Sequence, residues 1–198
     1  MNKKNIAWAI RIVIALLFIV SAVAKLSKGQ ILDSPYFAIS TFEVKQLYTL
    51  GFSETIAPYF SRILIGIEFA LGFLLLINHY LKRITIPITI GLLVVFIGHL
   101  SYVTFLSGGN TGNCGCFGEL IPMTPIEAII KNIIAVGLLV WLWKIIENDK
   151  KSNFWILTTV TLACILCLFM IAPMKASTTS SSESTETIAT EIDSLNSD

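Results

Sequence analysis

The chain has 198 residues, of which 55% are hydrophobic and only 14% charged, and its formal net charge is +1. A soluble domain carries charge on about a quarter of its residues, so much of this surface must face something other than water. Near-neutral charge excludes a global field for nucleic acid or an acidic partner, and no basic cluster marks a nucleic-acid site.

Five apolar runs reach the length that a bilayer demands, about 20 residues at 1.5 Å each. The first, 6–26, follows Asn2-Lys3-Lys4-Asn5 and contains Arg11. A basic start, an apolar run and Ala22-Val23-Ala24 also fit a cleaved signal peptide. The length of the run and the internal Arg11 favour a retained helix. The connection 27–62 is too long for a turn. Within it Asp33-Ser34-Pro35 reads as a helix start, a capping side chain before proline at the first helical position. Phe37, Ile39, Phe42, Leu47 and Leu50, with Tyr36 and Tyr48, then predict a short amphipathic helix lying on the bilayer face or capping a bundle.

The second run, 63–80, carries Glu68, and the third, 84–105, carries His99; Lys82-Arg83 fills the short link between them. A glycine-rich loop over 107–124 holds Asn113-Cys114-Gly115-Cys116-Phe117-Gly118. Thr124-Pro125-Ile126-Glu127 reads as a capping box that opens the fourth run, 125–146, which carries Lys131. Lys144, Lys150 and Lys151 lead into the fifth run, 154–173, with Cys164 and Cys167. From Ser177 onward the Ser/Thr/Glu-rich tail lacks the apolar surface to offset the entropy of ordering, and reads as disordered.

Each run must be a helix. In hydrocarbon every backbone N–H and C=O needs a partner within its own segment, and stretches such as Leu74-Leu75-Leu76-Ile77 lack the alternation of a barrel strand. The expected fold is an all-α integral membrane helix bundle. It comprises a four-helix core within 1–146, a fifth transmembrane helix within 147–173 and an extracytoplasmic disordered tail over 174–198. The basic residues before the first run and in the second and fourth links fall on one side, which the positive-inside rule makes the cytoplasm. The protein then sits in the cytoplasmic (inner) membrane with its N-terminus inside. The 27–62 loop, the Cys114/Cys116 loop and the tail lie outside.

Outside the cytoplasm disulfides persist, and Gly115 supplies the sharp turn that two cysteines one residue apart need to bridge. A bridge across so small a ring is no staple, because it closes almost no loop. Strained and exposed, it would be readily reduced, which is the profile of a redox pair. Two thiolates also suit Cu(I), whereas structural zinc needs four ligands that the outer loops do not offer. No resident metal is assigned, and no cofactor is named by the residues. Cys164 and Cys167, three apart on one helix, admit two readings, packing residues or a second redox pair relaying electrons to Cys114/Cys116. Glu68 and Lys131 lie at similar depth and could pair beneath the Cys loop, either as a structural ion pair or for proton chemistry. His99 reads as a hydrogen-bonded packing residue or a proton carrier.

The Asn113-Cys114-Gly115-Cys116-Phe117-Gly118 element after a third membrane helix, with Arg11 and Lys25-Leu26 upstream and Glu68 with Gly72 in the second run, resembles the MauE/DoxX group, and specifically the methylamine utilisation protein MauE family. The resemblance covers roughly 11–143. It implies a bundle of about four helices with a redox role at the outer face, in the maturation of exported disulfide-rich proteins such as those of the methylamine dehydrogenase system. The group is distantly similar to membrane oxidoreductases of the vitamin K epoxide reductase type. This chain departs from that type in having no cysteine pair in its first outer loop.

The function expected is a membrane thiol–disulfide redox protein, a thiol–disulfide oxidoreductase if it turns over. Its active pair is Cys114 and Cys116, and Glu68, Lys131 and His99 support it. Its partners are the lipid bilayer and an extracytoplasmic thioredoxin-like or disulfide-containing exported protein, with no nucleic acid. The alternatives are a non-enzymatic assembly or Cu(I)-binding membrane factor, and a small transporter working through Glu68, Lys131 and His99.

Overall fold

A computed structural model describes residues 3–26, 43, 47–48, 51–77, 80–106, 123–146 and 153–172. The described residues form five long apolar helices and contain no strand: α1 (Lys3–Leu26), α2 (Ala57–Leu76), α3 (Ile86–Leu106), α4 (Pro125–Ile145) and α5 (Phe154–Ile171). All five are long and apolar enough to cross a bilayer, α3 together with the turn that leads into it. The protein is an integral membrane helix bundle.

Helix ends follow local chemistry. Thr124 Oγ1 accepts the Glu127 N–H at 3.4 Å, and Glu127 Oε2 accepts the Thr124 N–H at 2.8 Å. This is the capping box read from the sequence, with Pro125 at the first helical position. A π-helical turn at Leu81–Thr85 runs into α3, with the Ile86 N–H bonded to the Leu81 carbonyl, and Pro87, which has no N–H to place, follows at the junction. α2 begins at Ala57, six residues before the start expected from hydropathy, and ends at Leu76. Pro58 sits in its first turn, and polar Ser61 and Arg62 enter the helix because both find partners there.

The core lies where α1, α2, α3 and α4 meet, around Ile14, Phe18, Leu75, Leu93 and Leu139. Helix α2 is central. On one side Gly72 lets α1 approach so closely that a Cβ there would stand 2.8 Å from Ile19 Cγ1 and 3.2 Å from the Ala15 carbonyl oxygen. On another side Gly66 admits α5, where a Cβ would stand 2.9 Å from Ile165 Cγ1 and 3.0 Å from Ile165 Cα. The fifth helix therefore packs on α2, and Ala22, Ile65, Leu168 and Ala172 form a second apolar cluster. Outward faces of all five helices carry exposed large side chains such as Val13, Phe73, Val95, Ile134 and Met170. In a bilayer that surface meets lipid.

Successive helices run in opposite directions, so Lys3, Lys82, Arg83 and Lys144 gather at one end of the bundle. Lys82 Nζ donates to the Ile146 carbonyl at 2.7 Å and ties α3 to the end of α4 there. The predicted amphipathic helix of the first loop lies mostly outside the described residues. The turn at 47–52 is described at its ends: Gly51 N–H bonds the Tyr48 carbonyl and Phe52 N–H bonds the Leu47 carbonyl, with Gly51 at φ 87°. That pair of bonds is a Schellman close, which calls for the left-handed residue that glycine supplies. Leu47 is buried with Ala57, which docks this turn on the start of α2.

Candidate functional site

Cys114 and Cys116, together with the rest of 107–122, lie outside the described residues. The framework of that loop is described on both sides. α3 delivers the chain at Leu106 and α4 takes it up at the Thr124 cap, at the end of the bundle opposite the basic residues. Two buried ion pairs among the described residues engage α2 on the side of the bundle toward this end.

Lys25 and Glu68 form an ion pair at 2.6 Å, with side chains only 2% and 5% exposed. Lys25 Nζ also donates to Ser21 Oγ at 3.3 Å, and it stands 5.8 Å from the centre of the Phe96 ring. Four residues separate Ser21 from Lys25, so one helical face carries both toward α2. Lys25 lies one residue from the end of α1, yet its side chain leans back along the helix and reaches a glutamate about three turns into α2. The pair is a correction to the sequence reading, which set Glu68 against Lys131. α1 stands between the two helices that matching depth had appeared to bring together, and it presents its own cation to Glu68. His99 lies half-buried on α3, three residues beyond Phe96. Lys131 lies on the wall of a groove between α1 and α4.

A second buried ion pair joins Arg62 Nη1 to Glu43 Oε1 at 3.1 Å. Ser61 Oγ donates to the same carboxylate oxygen, Arg62 Nη1 donates to the Pro58 carbonyl at 2.8 Å, and Arg62 Nε donates to the Ala172 carbonyl at 2.7 Å. One guanidinium thus clasps the first loop, the start of α2 and the end of α5. Its fork of fixed donors allows this where a lysine would not. The Tyr48 phenol nearby is held above its usual pKa by burial, then by the Glu43 and Glu54 carboxylates. The sequence reading placed Arg62 in the loop and assigned no role to Glu43. The available signal was Ser61-Arg62 immediately before an apolar run, with an acid within reach upstream.

Arg11, buried in α1, donates through Nε to the Leu75 carbonyl at 2.7 Å and through Nη2 to the Leu76 carbonyl at 3.0 Å. These are the last carbonyls of α2, which a cation near a helix C-terminus satisfies. Arg11 is a structural cap.

Cys164 is buried beside the α2 interface and Cys167 is exposed, and both are free thiols. Three residues turn the helix through about 300°, which keeps the two thiols neighbours about 60° apart, while the buried positions of α5 are Cys164 and Leu168. No group of three or more His, Cys, Asp or Glu side chains among the described residues could hold a metal ion.

The model of the family described as "Methylamine utilisation protein MauE" matches residues 3–145. The chain is 65% identical over 178 residues to Protein TlpB of Flavobacterium psychrophilum, covering 89% of this chain and 47% of that protein. It therefore spans about half the length of that curated relative. No solved structure matches it. The match takes in α1 through α4, including Lys25, Glu68 and the Cys-Gly-Cys segment, and the chain belongs to the methylamine utilisation protein MauE family.

Proposed function

We propose that the protein is a thiol–disulfide redox protein of the cytoplasmic membrane that supports maturation of exported proteins through Cys114 and Cys116. The observation that carries the reading is Cys114-Gly115-Cys116 in a glycine-rich segment between two membrane helices, at the bundle end opposite the clustered lysines. Family membership supports it. The positive-inside rule places the cysteines outside the cytoplasm, where a disulfide persists.

In the exchange, one thiolate attacks a sulfur of a partner disulfide and forms a mixed disulfide. The second thiolate then attacks the first cysteine's sulfur and releases the partner. The partner leaves as a dithiol and Cys114–Cys116 becomes the disulfide, so two electrons and two protons pass to the partner. Run backward, the same steps oxidise a partner dithiol. The partner class is an extracytoplasmic thioredoxin-like protein or an immature disulfide-containing exported protein. Lys25–Glu68, with His99 close along α3, would hold the bundle beneath the loop.

The test is a trapping experiment with the full chain in lipid nanodiscs and an oxidised thioredoxin-like protein. One of the single variants Cys114→Ser and Cys116→Ser is expected to accumulate a mixed disulfide, because the resolving thiol is gone. The double variant is expected to form none. Adduct formed by the double variant as readily as by the single variants would place the chemistry elsewhere.

A further inference from the structure

Between α1 and α4 the surface opens into a groove of about 350 Å³. Val13 and Leu17 form one wall, and Ile130, Ile134 and Leu138 the other. Polar groups stand at one end only: Glu127 in the first turn of α4, and Lys131 one turn deeper. The apolar part from Ile130 to Leu138 runs about 12 Å along α4. It opens on a flank where Val13, Ile130, Ile133 and Ile134 are all exposed. In a bilayer such a concavity is filled by hydrocarbon, because an empty one forfeits the dispersion contacts of its walls.

The order of the charges selects the molecule. An amphiphile with its tail along Ile134 and Leu138 brings its head past Lys131 first and Glu127 second, about 6 Å farther out. A phospholipid presents its phosphate next to the glycerol. A zwitterionic aminophospholipid adds a primary ammonium beyond that phosphate. Lys131 is matched to the phosphate and Glu127 to the ammonium, a charge-assisted contact at each position. Glu127 Oε2 accepts the Thr124 N–H at 2.8 Å, which fixes the carboxylate at the exposed mouth of the groove. An anionic headgroup without the ammonium meets Glu127 with like charge.

We infer that this groove is a specific site for one phosphatidylethanolamine molecule in the leaflet at the Thr124 end, with one acyl chain between α1 and α4 and its headgroup against Lys131 and Glu127. The site lies at the foot of the segment that carries Cys114 and Cys116, and it does not depend on their chemistry.

The test is native mass spectrometry of the full chain, delipidated in detergent and titrated with phosphatidylethanolamine, phosphatidylcholine or phosphatidylglycerol. Wild type is expected to retain one phosphatidylethanolamine in preference to the other two. Lys131→Glu should lose about tenfold in affinity, one charge-assisted bond's worth. Glu127→Gln should erase the preference over phosphatidylcholine. Ile134→Trp, at an exposed position where the indole fills the groove, should abolish the bound lipid. Val13→Trp blocks the opposite wall and serves if Ile134→Trp does not fold. Equal retention by wild type and a folded groove-filling variant, or tighter binding of phosphatidylglycerol, would overturn the assignment.

Discussion

At the scale of single residues, the Lys25–Glu68 pair raises an energetic question. Both side chains are almost fully enclosed, and burying two charges costs desolvation that their attraction offsets only when the geometry is good. Removing one partner leaves the other as an uncompensated charge. Glu68→Leu or Lys25→Met alone should therefore destabilise the protein by about 3–5 kcal/mol. The double variant Lys25→Met/Glu68→Leu should recover most of that loss, or exceed wild type. Thermal unfolding in detergent reads both effects, and an additive double variant would contradict the coupling. The sequence showed that Glu68 needed a partner but not which one. Depth along a helix can be counted from a sequence, whereas the rotation that turns Glu68 toward α1 depends on how helices pack. A lysine at a helix end also reaches back by the length of its side chain, so Lys25 read as a boundary residue rather than an interior one. Arg62 escaped for a related reason: counting hydropathy alone starts α2 after the very residues whose hydrogen bonds begin it.

At the scale of elements, α2 organises the bundle through two glycines on different faces. Gly66 and Gly98 make a direct comparison. Alanine at Gly98, where nothing lies within 4 Å, should stabilise by up to about 1 kcal/mol through helix propensity. Alanine at Gly66 meets the backbone of α5 at Ile165, and overpacking should turn the gain into a loss of about 1–2 kcal/mol. Unfolding of the two variants side by side checks the contrast, and equal stabilisation would mean that α5 is not held at that distance. The existence of all five helices was legible from the sequence because lipid leaves the backbone one solution. The Thr124 cap was legible because its whole signal lies within four residues. The Gly66 contact was not, since it joins residues nearly 100 positions apart and no periodicity in α5 marks the partner face.

At the scale of the whole molecule, the described helices form a frame around the segment that carries Cys114 and Cys116 in the sequence. Two membrane helices deliver the Cys114/Cys116 segment to one end, and the lysines collect at the other. Two buried ion pairs brace the half of α2 nearest the cysteines, and one of them clasps the end of the fifth helix. The candidate pair itself was read entirely from residue type and spacing. The bracing around it came only from the three-dimensional arrangement. An accessible redox pair at Cys114 and Cys116, outside the cytoplasm, has a direct consequence for labelling. The most direct measurement is labelling of intact cells with a membrane-impermeant maleimide before and after mild reduction, using a Cys164→Ser/Cys167→Ser background. Labelling of Cys114 and Cys116 only after reduction is the expected result. Absence of labelling even after reduction would contradict the account.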